Sequence, residues 1–489
     1  MSPVPLGCVV IVAISITAIA TARPAICFAA DMPSNEEIFG WITDLCRHPH
    51  RRPGTDFGHE AERYMLEKFK SFGLSQCRLE PIEITVWTPD RWELAVNTSE
   101  GEVRLPCFFV PYTEFTTPAG VEAQLLYIGD GEGAQDASHD VKGKIVVADM
   151  RFGTIPIDAL RAIAHLTYDP GNTLPQGGNK LAPWFRTNWD ATYGVAGREG
   201  AAGFIGILAD MYGNTNAYYA PYDGVMKPVP GLYLGKNDGG RLRRMLASAT
   251  IPLRGRLTLS GTKSQGTTNN VVGTIPGKTD ETIVIGSHHD GPFVGGTEDA
   301  SGVAVVLALA HYFSRFPPKS MEKTLVFVGS AGHFYGSIGT DTFIERHRDD
   351  ILKRTVAEVH VEHIAREFEV KDDEIVPTGL TEIGVVFVSD HPALIEHTKE
   401  VIVKRQLDRT MVLPGKSFLG DTPPTDASAY FGEGVPTISY ISGPIYLLDE
   451  NDTLDKVAVD MLQPVTSVLA DIITKLDEMS GKVLGRGGD

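Results

Sequence analysis

The chain has 489 residues, of which 42% are apolar and 22% are charged, and its formal net charge at pH 7 is −18. A chain of this length is too long for a single hydrophobic core, so we expect two or three domains. The negative charge argues against nucleic acid or an anionic membrane surface as a partner, because phosphate groups would be repelled.

The first thirty residues differ in character from everything that follows. Residues 8–22 form an uncharged apolar run that is too short to span a bilayer comfortably, and Ala29 and Ala30 precede the acidic Asp31. This pattern predicts that residues 1–30 are a cleaved export signal, which would leave a periplasmic or secreted protein with no membrane attachment. An uncleaved membrane anchor is the alternative.

Three cysteines remain once that segment is removed: Cys46, Cys77 and Cys107. An exported protein could oxidise two of them to a disulfide, but three cysteines are not a disulfide framework. Small buried apolar residues are the other interpretation. The three lack the paired spacing of a thiolate zinc site.

Residues 31–117 are predicted to form the N-terminal part of the main domain. Ser34 followed by Glu37 is a capping pattern that begins a first helix, and a second helix is predicted over Glu60–Phe72, before Gly73. Strands are then predicted at Ile82–Trp87, Glu93–Val96 and Val103–Phe109.

Residues 118–259 are predicted to be an insert with a fold of its own. Short apolar segments alternate with a glycine-punctuated helix, which is typical of a small β-rich module. The glycines between 197 and 206 lack the Lys-Ser or Lys-Thr of a phosphate loop, so close backbone packing is their expected role. The dense aromatic residues of the insert could line a cleft or could pack the module itself.

Residues 260–480 are predicted to be an α/β domain, followed by a tail over 481–489. Strands and helices alternate along this part of the chain, which predicts a mostly parallel sheet with helices on both faces. The strands predicted at Thr282–Gly286 and Thr324–Val328 each end in a cluster of imidazole or carboxylate side chains. Open sheets of this kind hold their ligands at the carboxyl ends of the strands.

Three short motifs, at His288-His289-Asp290, at residues 297–302 and at residues 333–340, resemble those of the M28 family of zinc aminopeptidases and carboxypeptidases. His288-His289-Asp290 is similar to the family's His-x-Asp, and residues 297–302 are similar to its Asn-Asp-x-x-Ser-Gly. Residues 333–340 keep the glycine spacing of the family's Glu-Glu-x-Gly-Leu-x-Gly-Ser, but both glutamates are absent. The resemblance implies a zinc aminopeptidase-like fold and identifies residues 118–259 with the protease-associated (PA) domain that many M28 enzymes carry.

The resemblance also implies where a metal would be held. M28 sites bind two zinc ions, and the ligands of the first correspond here to His288, Glu298 and Glu362. The ligands of the second correspond to Phe334 and Leu448, which cannot bind zinc. One zinc ion is therefore expected rather than two.

The catalytic assignments follow from the same correspondence. His333 stands where the family has its general base, and an imidazole can take a proton from water at neutral pH. Asp290 is expected to orient the ring of His288. The implied function is hydrolysis of a peptide or another small amide, with metal-bound water as the nucleophile.

Further ionisable residues lie near these positions and could support the site or replace a lost ligand. They are His289, Asp299, His360, His363, Asp426 and Asp449. By the two-residue period of a strand, His360 shares a face with Glu362, and His363 points to the other face.

Two other functions remain open at this stage. A chain that lacks several family ligands could be a catalytically inactive binding protein on an M28-like scaffold. Acyl transfer or cyclisation is the other alternative, by analogy with the glutaminyl cyclases of the same family.

Overall fold

A computed structural model describes residues 31–131 and 140–486. The predicted export signal, residues 1–30, lies outside the described residues. Among the helices that the structure describes, none is long and apolar enough to cross a lipid bilayer. Cys46, Cys77 and Cys107 are free thiols.

The helices of the described chain are α1 (Asn35–Leu45), α2 (Asp56–Ser71), α3 (Ile157–Ile163), α4 (Tyr193–Arg198), α5 (Lys236–Ser248), α6 (Gly302–Ser314), α7 (Ile338–Arg346), α8 (Ile351–Arg354), α9 (Pro392–Arg405), α10 (Ala427–Gly432) and α11 (Leu462–Glu478). Short helical turns lie at Gly296–Ser301, His333–Tyr335, Leu454–Lys456 and Val459–Met461.

The strands are β1 (Ser75–Thr98), β2 (Gly101–Leu105), β3 (Phe108–Phe109), β4 (Val121–Tyr127), β5 (Ile145–Asp149), β6 (Phe152–Pro156), β7 (Leu166–Tyr168), β8 (Asn179–Arg186), β9 (Gly203–Leu208), β10 (Gly231–Gly235), β11 (Arg254–Ile275), β12 (Thr282–His288), β13 (Thr324–Ser330), β14 (Thr355–Val361), β15 (Arg366–Lys371), β16 (Glu374–Thr381), β17 (Gly384–Val388), β18 (Thr410–Pro414) and β19 (Thr437–Ser442).

Most strands join one large sheet, in the order β3-β10-β9-β5-β4-β11-β13-β12-β14-β19-β17-β18-β7. The pairs β12–β13, β12–β14 and β14–β19 are parallel. Parallel strands buried on both faces are continuous apolar runs, and every residue of β12 and β14 is buried. The predicted α/β class with a mostly parallel sheet is confirmed.

The N-terminal helices pack on this sheet as their apolar spacing predicts. In α1, Ile38, Trp41, Ile42 and Leu45 are buried, and the hydroxyl of Ser34 accepts a hydrogen bond from the N–H of Glu37. The central helix α6 is apolar nearly all round and lies in the core between the sheet and α1, α2 and α11.

A long two-stranded ribbon connects the insert to the rest of the sheet. β1 and β11 pair antiparallel from Ser75 to Asn97, and β11 also pairs with β4 of the insert and with β13 of the main domain. The sequence predicts two short strands where β1 is one continuous strand. A register shift at Pro89 lets the strand continue through a segment that resembles a turn.

Part of the insert reaches back to the main domain. β6 and β8 form a two-stranded sheet, and β7 between them pairs with β18 at the end of the large sheet. Residues 152–186, which we call the return segment, therefore lie beside β17–β19 rather than within the insert's own strands. The predicted boundaries of the insert stay a prediction.

Candidate metal centre and active site

The carboxyl ends of three neighbouring parallel strands meet at one edge of the sheet. β12 ends at His288, the turn after β13 begins at His333, and Glu362 and His363 follow β14 directly. The helical turn Gly296–Ser301 brings Glu298 to the same place. The sheet thus brings together at one point side chains that are far apart in the sequence, as the motifs predict.

Three buried side chains, which we call the metal group, converge there: His288, Glu298 and His363. One ligand atom from each lies within 4.8 Å of the other two. Nε2 of His288 is 3.2 Å from Oε1 of Glu298, and Nε2 of His363 is 2.6 Å from Oε2. Nevertheless, both Nε2 atoms and Oε1 of Glu298 are buried and form no hydrogen bond within the described chain.

This arrangement fits a divalent cation. Leaving buried polar atoms without partners is costly, and a cation at their common centre would satisfy all three. Two imidazoles and a carboxylate are a donor set that zinc accepts, with one position left for water or substrate. No other group of this kind is found among the residues that the structure describes.

The metal group differs from the predicted one at its third member. Glu362 lies on the wall of the same cavity, but Oε1 accepts hydrogen bonds from Nε2 of His360 at 2.9 Å and from the N–H of Asp426 at 3.1 Å. His363 takes its place because the chain leaves the strand there with φ = +53°, which ends the strand alternation. The side chain predicted to point away therefore points into the site, and the assignment of Glu362 as ligand stays a prediction.

His360 lies outside the metal group and contacts two carboxylates. Its two ring nitrogens face Glu358 and Glu362, each at 2.9 Å. The His360 ring is thus held between two carboxylates on the same face of the strand. Its hydrogen bond to Glu362 in turn fixes the position of the Glu362 carboxylate.

The electrostatics of the group also favour a cation. Burial lowers the pKa of His363, but the Glu298 carboxylate raises it to about 10. Burial likewise lowers the pKa of His288, and Asp290 and Glu298 outweigh this effect and raise it well above the usual value. Each imidazole thus lies in a field of carboxylates that stabilises positive charge.

The positions expected for ligands of a second ion are filled by apolar side chains. Phe334 has no exposed surface and Leu448 only 2%. The ring of Phe334 packs against Tyr219 and Tyr222, with centroids 5.8 and 5.3 Å apart. These side chains occupy space beside the metal group and offer it no ligand atom.

His333 forms a pair with Asp426 next to the metal group. Its Nδ1 is 2.8 Å from Oδ1 of Asp426. The same oxygen accepts a hydrogen bond from the hydroxyl of Ser337, and Oδ2 of Asp426 accepts hydrogen bonds from the hydroxyls of Ser330 and Thr340. The His333 ring stacks on that of His288 with a centroid distance of 4.1 Å, and 14% of its side chain is exposed. Burial and His288 lower the pKa of His333, but Asp426 outweighs them and raises it.

Asp290 lies beside the His288 ring and also contacts the turn that carries His333, and its expected role of orienting that ring stays a prediction. Its carboxylate accepts hydrogen bonds from the backbone N–H groups of His333 and Phe334, at 3.1 and 2.8 Å. It also lies 3.7 Å from Nδ1 of His288. Asp290 therefore fixes the turn that carries His333 and is a positioning residue rather than one that touches the reacting atoms.

The remaining predicted residues support the site or lie outside it. Nε2 of His289 bonds to the carbonyl of Asn269, which places His289 in the packed core. Asp299 accepts a hydrogen bond from the N–H of His363 and another from Ser287, so it fixes the backbone of a metal-group residue.

Asp449 lies outside the metal group. Its carboxylate accepts hydrogen bonds from the hydroxyl of Tyr212 and the N–H of Asn451, and it is fully buried. It therefore lies in the contact between the insert and the main domain.

The sequence indicates that aromatic residues of the insert could line a cleft, but it does not single out Tyr222. Tyr222, from the insert, lines the same cavity as His333 and Glu298, and its ring stacks on His333 with a centroid distance of 5.3 Å. Its hydroxyl makes no hydrogen bond to any described residue, and burial and Glu298 keep its pKa above the usual value, so it stays protonated. No local motif links an insert tyrosine to these strand ends.

The fold is that of zinc aminopeptidases of known structure. The chain is similar to the zinc aminopeptidase BSAP from Bacillus subtilis, with a TM-score of 0.65 and 15% identity over 91% of this chain and 96% of that one. It is also similar to a peptidase M28 precursor from Shewanella amazonensis, with a TM-score of 0.68 and 19% identity over 90% of this chain and 92% of that one.

A sequence match supports the resemblance to a known family. Residues 270–473 match the model of peptidase family M28, which confirms the resemblance carried by the motifs. A probable glutamate carboxypeptidase from Arabidopsis thaliana is 27% identical over 97 residues, which is 19% of this chain. The match spans 14% of that curated relative's length. The identification of the insert as a PA domain stays a prediction.

Proposed function

We propose that this protein is a metal-dependent hydrolase of peptide or other small amide bonds that works with one divalent cation, zinc. The observation that carries the proposal is the convergence of buried His288, Glu298 and His363 beside the His333–Asp426 pair. The M28 match of residues 270–473 supports the same class of reaction.

The use of one ion rests on the side chains around the metal group. Phe334 and Leu448 are buried where a second set of ligands is expected, and the described residues contain one group that could hold a metal. A second cation placed between the phenyl ring of Phe334 and the side chain of Leu448 would lose its water and would find no ligand atom in return.

A cation held by these three residues would supply Lewis-acid polarisation of the carbonyl and would lower the pKa of water. His333 takes a proton from the attacking water through Nε2. Nδ1 of the ring is hydrogen-bonded to Asp426, and the ring lines the cavity, so Nε2 is the nitrogen that can exchange a proton there. The same nitrogen returns the proton to the leaving amine. Asp426 holds the ring orientation through both transfers.

The hydroxyl of Tyr222 donates a hydrogen bond to the carbonyl oxygen as negative charge develops on it. This assignment rests on three observations: the side chain lines the cavity, stacks on His333 and remains protonated. A fixed donor beside a developing oxyanion is the arrangement that lowers such barriers most.

Metal content per chain tests the proposal. We expect one equivalent of zinc in the purified protein and none in His288→Ala or His363→Ala. The matched control is His289→Ala, which removes the neighbouring imidazole that lies outside the metal group and should retain zinc. Two equivalents in the wild type would contradict the account of Phe334 and Leu448.

A second set of variants tests whether Glu362 or His363 is the third ligand of the metal. Glu362→Gln should weaken zinc affinity less than His363→Gln, because Glu362 is held by His360 rather than by the metal group. The reverse order would restore Glu362 as the ligand.

Hydrolysis decides between an enzyme and an inactive binding protein. The zinc-loaded protein should release amine from a panel of amino-acid anilides and dipeptides, and His333→Gln should lose most of this activity while retaining zinc. Zinc binding without turnover of any amide would favour the binding protein, and cyclisation of glutaminyl peptides would favour acyl transfer.

We also propose that the mature protein is exported and that residues 1–30 direct this step. The apolar run ending in small residues supports it. N-terminal sequencing of protein recovered outside the cytoplasm should begin near residue 31. Retention in the cytoplasm with an intact N-terminus would contradict it.

A further inference from the structure

A cavity of about 340 Å³ opens directly from the metal group. One end holds Glu298, His333, Glu362 and His363. The walls come from the return segment, from strands β17 and β19, and from the loop after β18. Its volume is at the lower end of ligand pockets, which suits one side chain rather than a long peptide.

Apart from that end, the cavity is uncharged. The described residues that line it include no lysine or arginine, and their carboxylates are the two at the metal end. The rest of the lining is mainly aliphatic and aromatic, with Leu160, Trp184 and Phe387 among its members. A charged group entering this space would lose its water without gaining a counter-ion, which is strongly unfavourable.

Two phenylalanines at this cavity are exposed to solvent. Phe185 on β8 is 60% exposed and Phe418 in the loop after β18 is 51% exposed. They are the exposed phenylalanines of the described chain, they lie on separate segments, and both line the same cavity. Exposed apolar side chains gathered around one concavity mark a binding site rather than random surface.

We propose that this cavity is a specificity pocket that takes a neutral, bulky apolar group, an aromatic or branched aliphatic side chain, next to the scissile amide, and that it rejects acidic side chains. The inference rests on the proposed hydrolase function for the reaction, but the recognition itself is a binding property. The return segment supplies one wall, so the insert takes part in choosing the substrate.

Binding and turnover are to be measured separately on the zinc-loaded protein. Calorimetry with free L-phenylalanine, L-leucine, L-glutamate and L-lysine compares side chains, because the amino and carboxyl groups are the same in all four. We expect the first two to bind at least tenfold more tightly than the last two. Hydrolysis of the corresponding anilides should follow the same order in kcat/KM.

The variants Phe185→Ala and Phe418→Ala test the mouth of the pocket. Because both residues are exposed, the substitutions should leave folding and zinc content unchanged. They should lower kcat/KM for the phenylalanine anilide roughly tenfold and kcat/KM for the lysine anilide less. Ile251→Ala is the matched control, since Ile251 is 73% exposed and does not line the cavity.

The possible outcomes are distinct. Selective binding of apolar amino acids without hydrolysis would support the pocket and refute the hydrolase. Hydrolysis with equal acceptance of glutamate and phenylalanine substrates, or variants indistinguishable from Ile251→Ala, would refute the pocket and leave the hydrolase standing. Phe418→Arg adds a cation at the mouth and should raise the relative rate on the glutamate substrate.

Discussion

Among single residues outside the metal group, Tyr222 has the clearest expected effect on turnover. Tyr222→Phe keeps the ring that stacks on His333 and removes the hydroxyl. If that hydroxyl stabilises the oxyanion, kcat should fall by about 10²–10³-fold with KM and zinc content unchanged. Steady-state kinetics on a good substrate measure this.

Tyr335 provides the control for this substitution. Its hydroxyl accepts a hydrogen bond from the backbone N–H of Thr85 and does not line the cavity. Tyr335→Phe should therefore leave kcat close to the wild-type value. Equal kinetics in the two variants would show that the Tyr222 side chain acts only through its ring.

Asp449 gives a prediction about pH. Burial raises its pKa to about 7 in the folded protein, whereas an unfolded aspartate titrates near 4. Between these values the folded state binds more protons than the unfolded one, so its contribution makes the free energy of unfolding fall as pH rises from 4 to 7. Above pH 7 this contribution is constant.

Asp449→Asn should remove that dependence. We expect the stability of the variant relative to the wild type to rise between pH 4 and pH 7, measured by denaturant unfolding at several pH values. Asp460→Asn, which alters an exposed carboxyl, should show no such rise. A relative stability that is flat across this range for Asp449→Asn would contradict the raised pKa.

Some residues of the candidate site could be predicted from the sequence, and others could not. His288, Glu298 and His333 are found from motif spacing, because the ends of parallel strands must meet. His363 is missed as a primary ligand because its positive φ is a property of the folded chain. Tyr222 is missed because the insert's docking is set by contacts far apart in sequence.

At the scale of elements, the contact between the insert and the His333 turn depends on two glycines. Gly336 has φ = +73°, and a Cβ on it would lie 2.8 Å from the carbonyl oxygen of Asp223. Its N–H also donates to the carbonyl of Tyr222. On the insert side, a Cβ on Gly224 would lie 2.8 Å from the carbonyl oxygen of Tyr335.

Gly336→Ala should destabilise the protein by about 1–3 kcal/mol and lower activity, because the insert must move and Tyr222 moves with it. Gly434→Ala is a matched control, since Gly434 has φ = +71° but open space around it. The difference between the two variants in denaturant unfolding isolates the steric contact. Equal stability and activity in both would contradict the close packing.

Most elements of the main domain could be predicted from the sequence. Strands β12 and β13 begin at the predicted residues and run two residues further than predicted, because continuous apolar runs are a strong local signal. The long strand β1 and the hairpin β15–β16 could not be predicted. Their residues are only partly buried and carry no clean alternation, so pairing with a partner strand decides their structure.

At the scale of the whole molecule, the insert and the main domain share one sheet. β4 pairs with β11, which begins within residues 118–259 and runs on to Ile275. β10 pairs with β3, which lies wholly outside that range. The return segment adds β7 to the main domain. The insert therefore depends on strands that it does not contain.

A fragment of residues 118–259 should consequently fail to fold alone. We expect little stable structure by circular dichroism and rapid proteolysis, whereas the chain from residue 31 onward should resist the same protease. A fragment with a cooperative unfolding transition would show that the module is independent and that the shared strands are not needed.

In its strand order, the large sheet ends in a very short strand on each side. β3 has two residues and β7 has three, although every strand between them in the sheet order is longer. Edge strands this short present few unpaired backbone groups to another chain, which limits intermolecular strand addition. Because the return segment supplies β7, loss of that docking would uncover the five-residue β18 and create a template for aggregation.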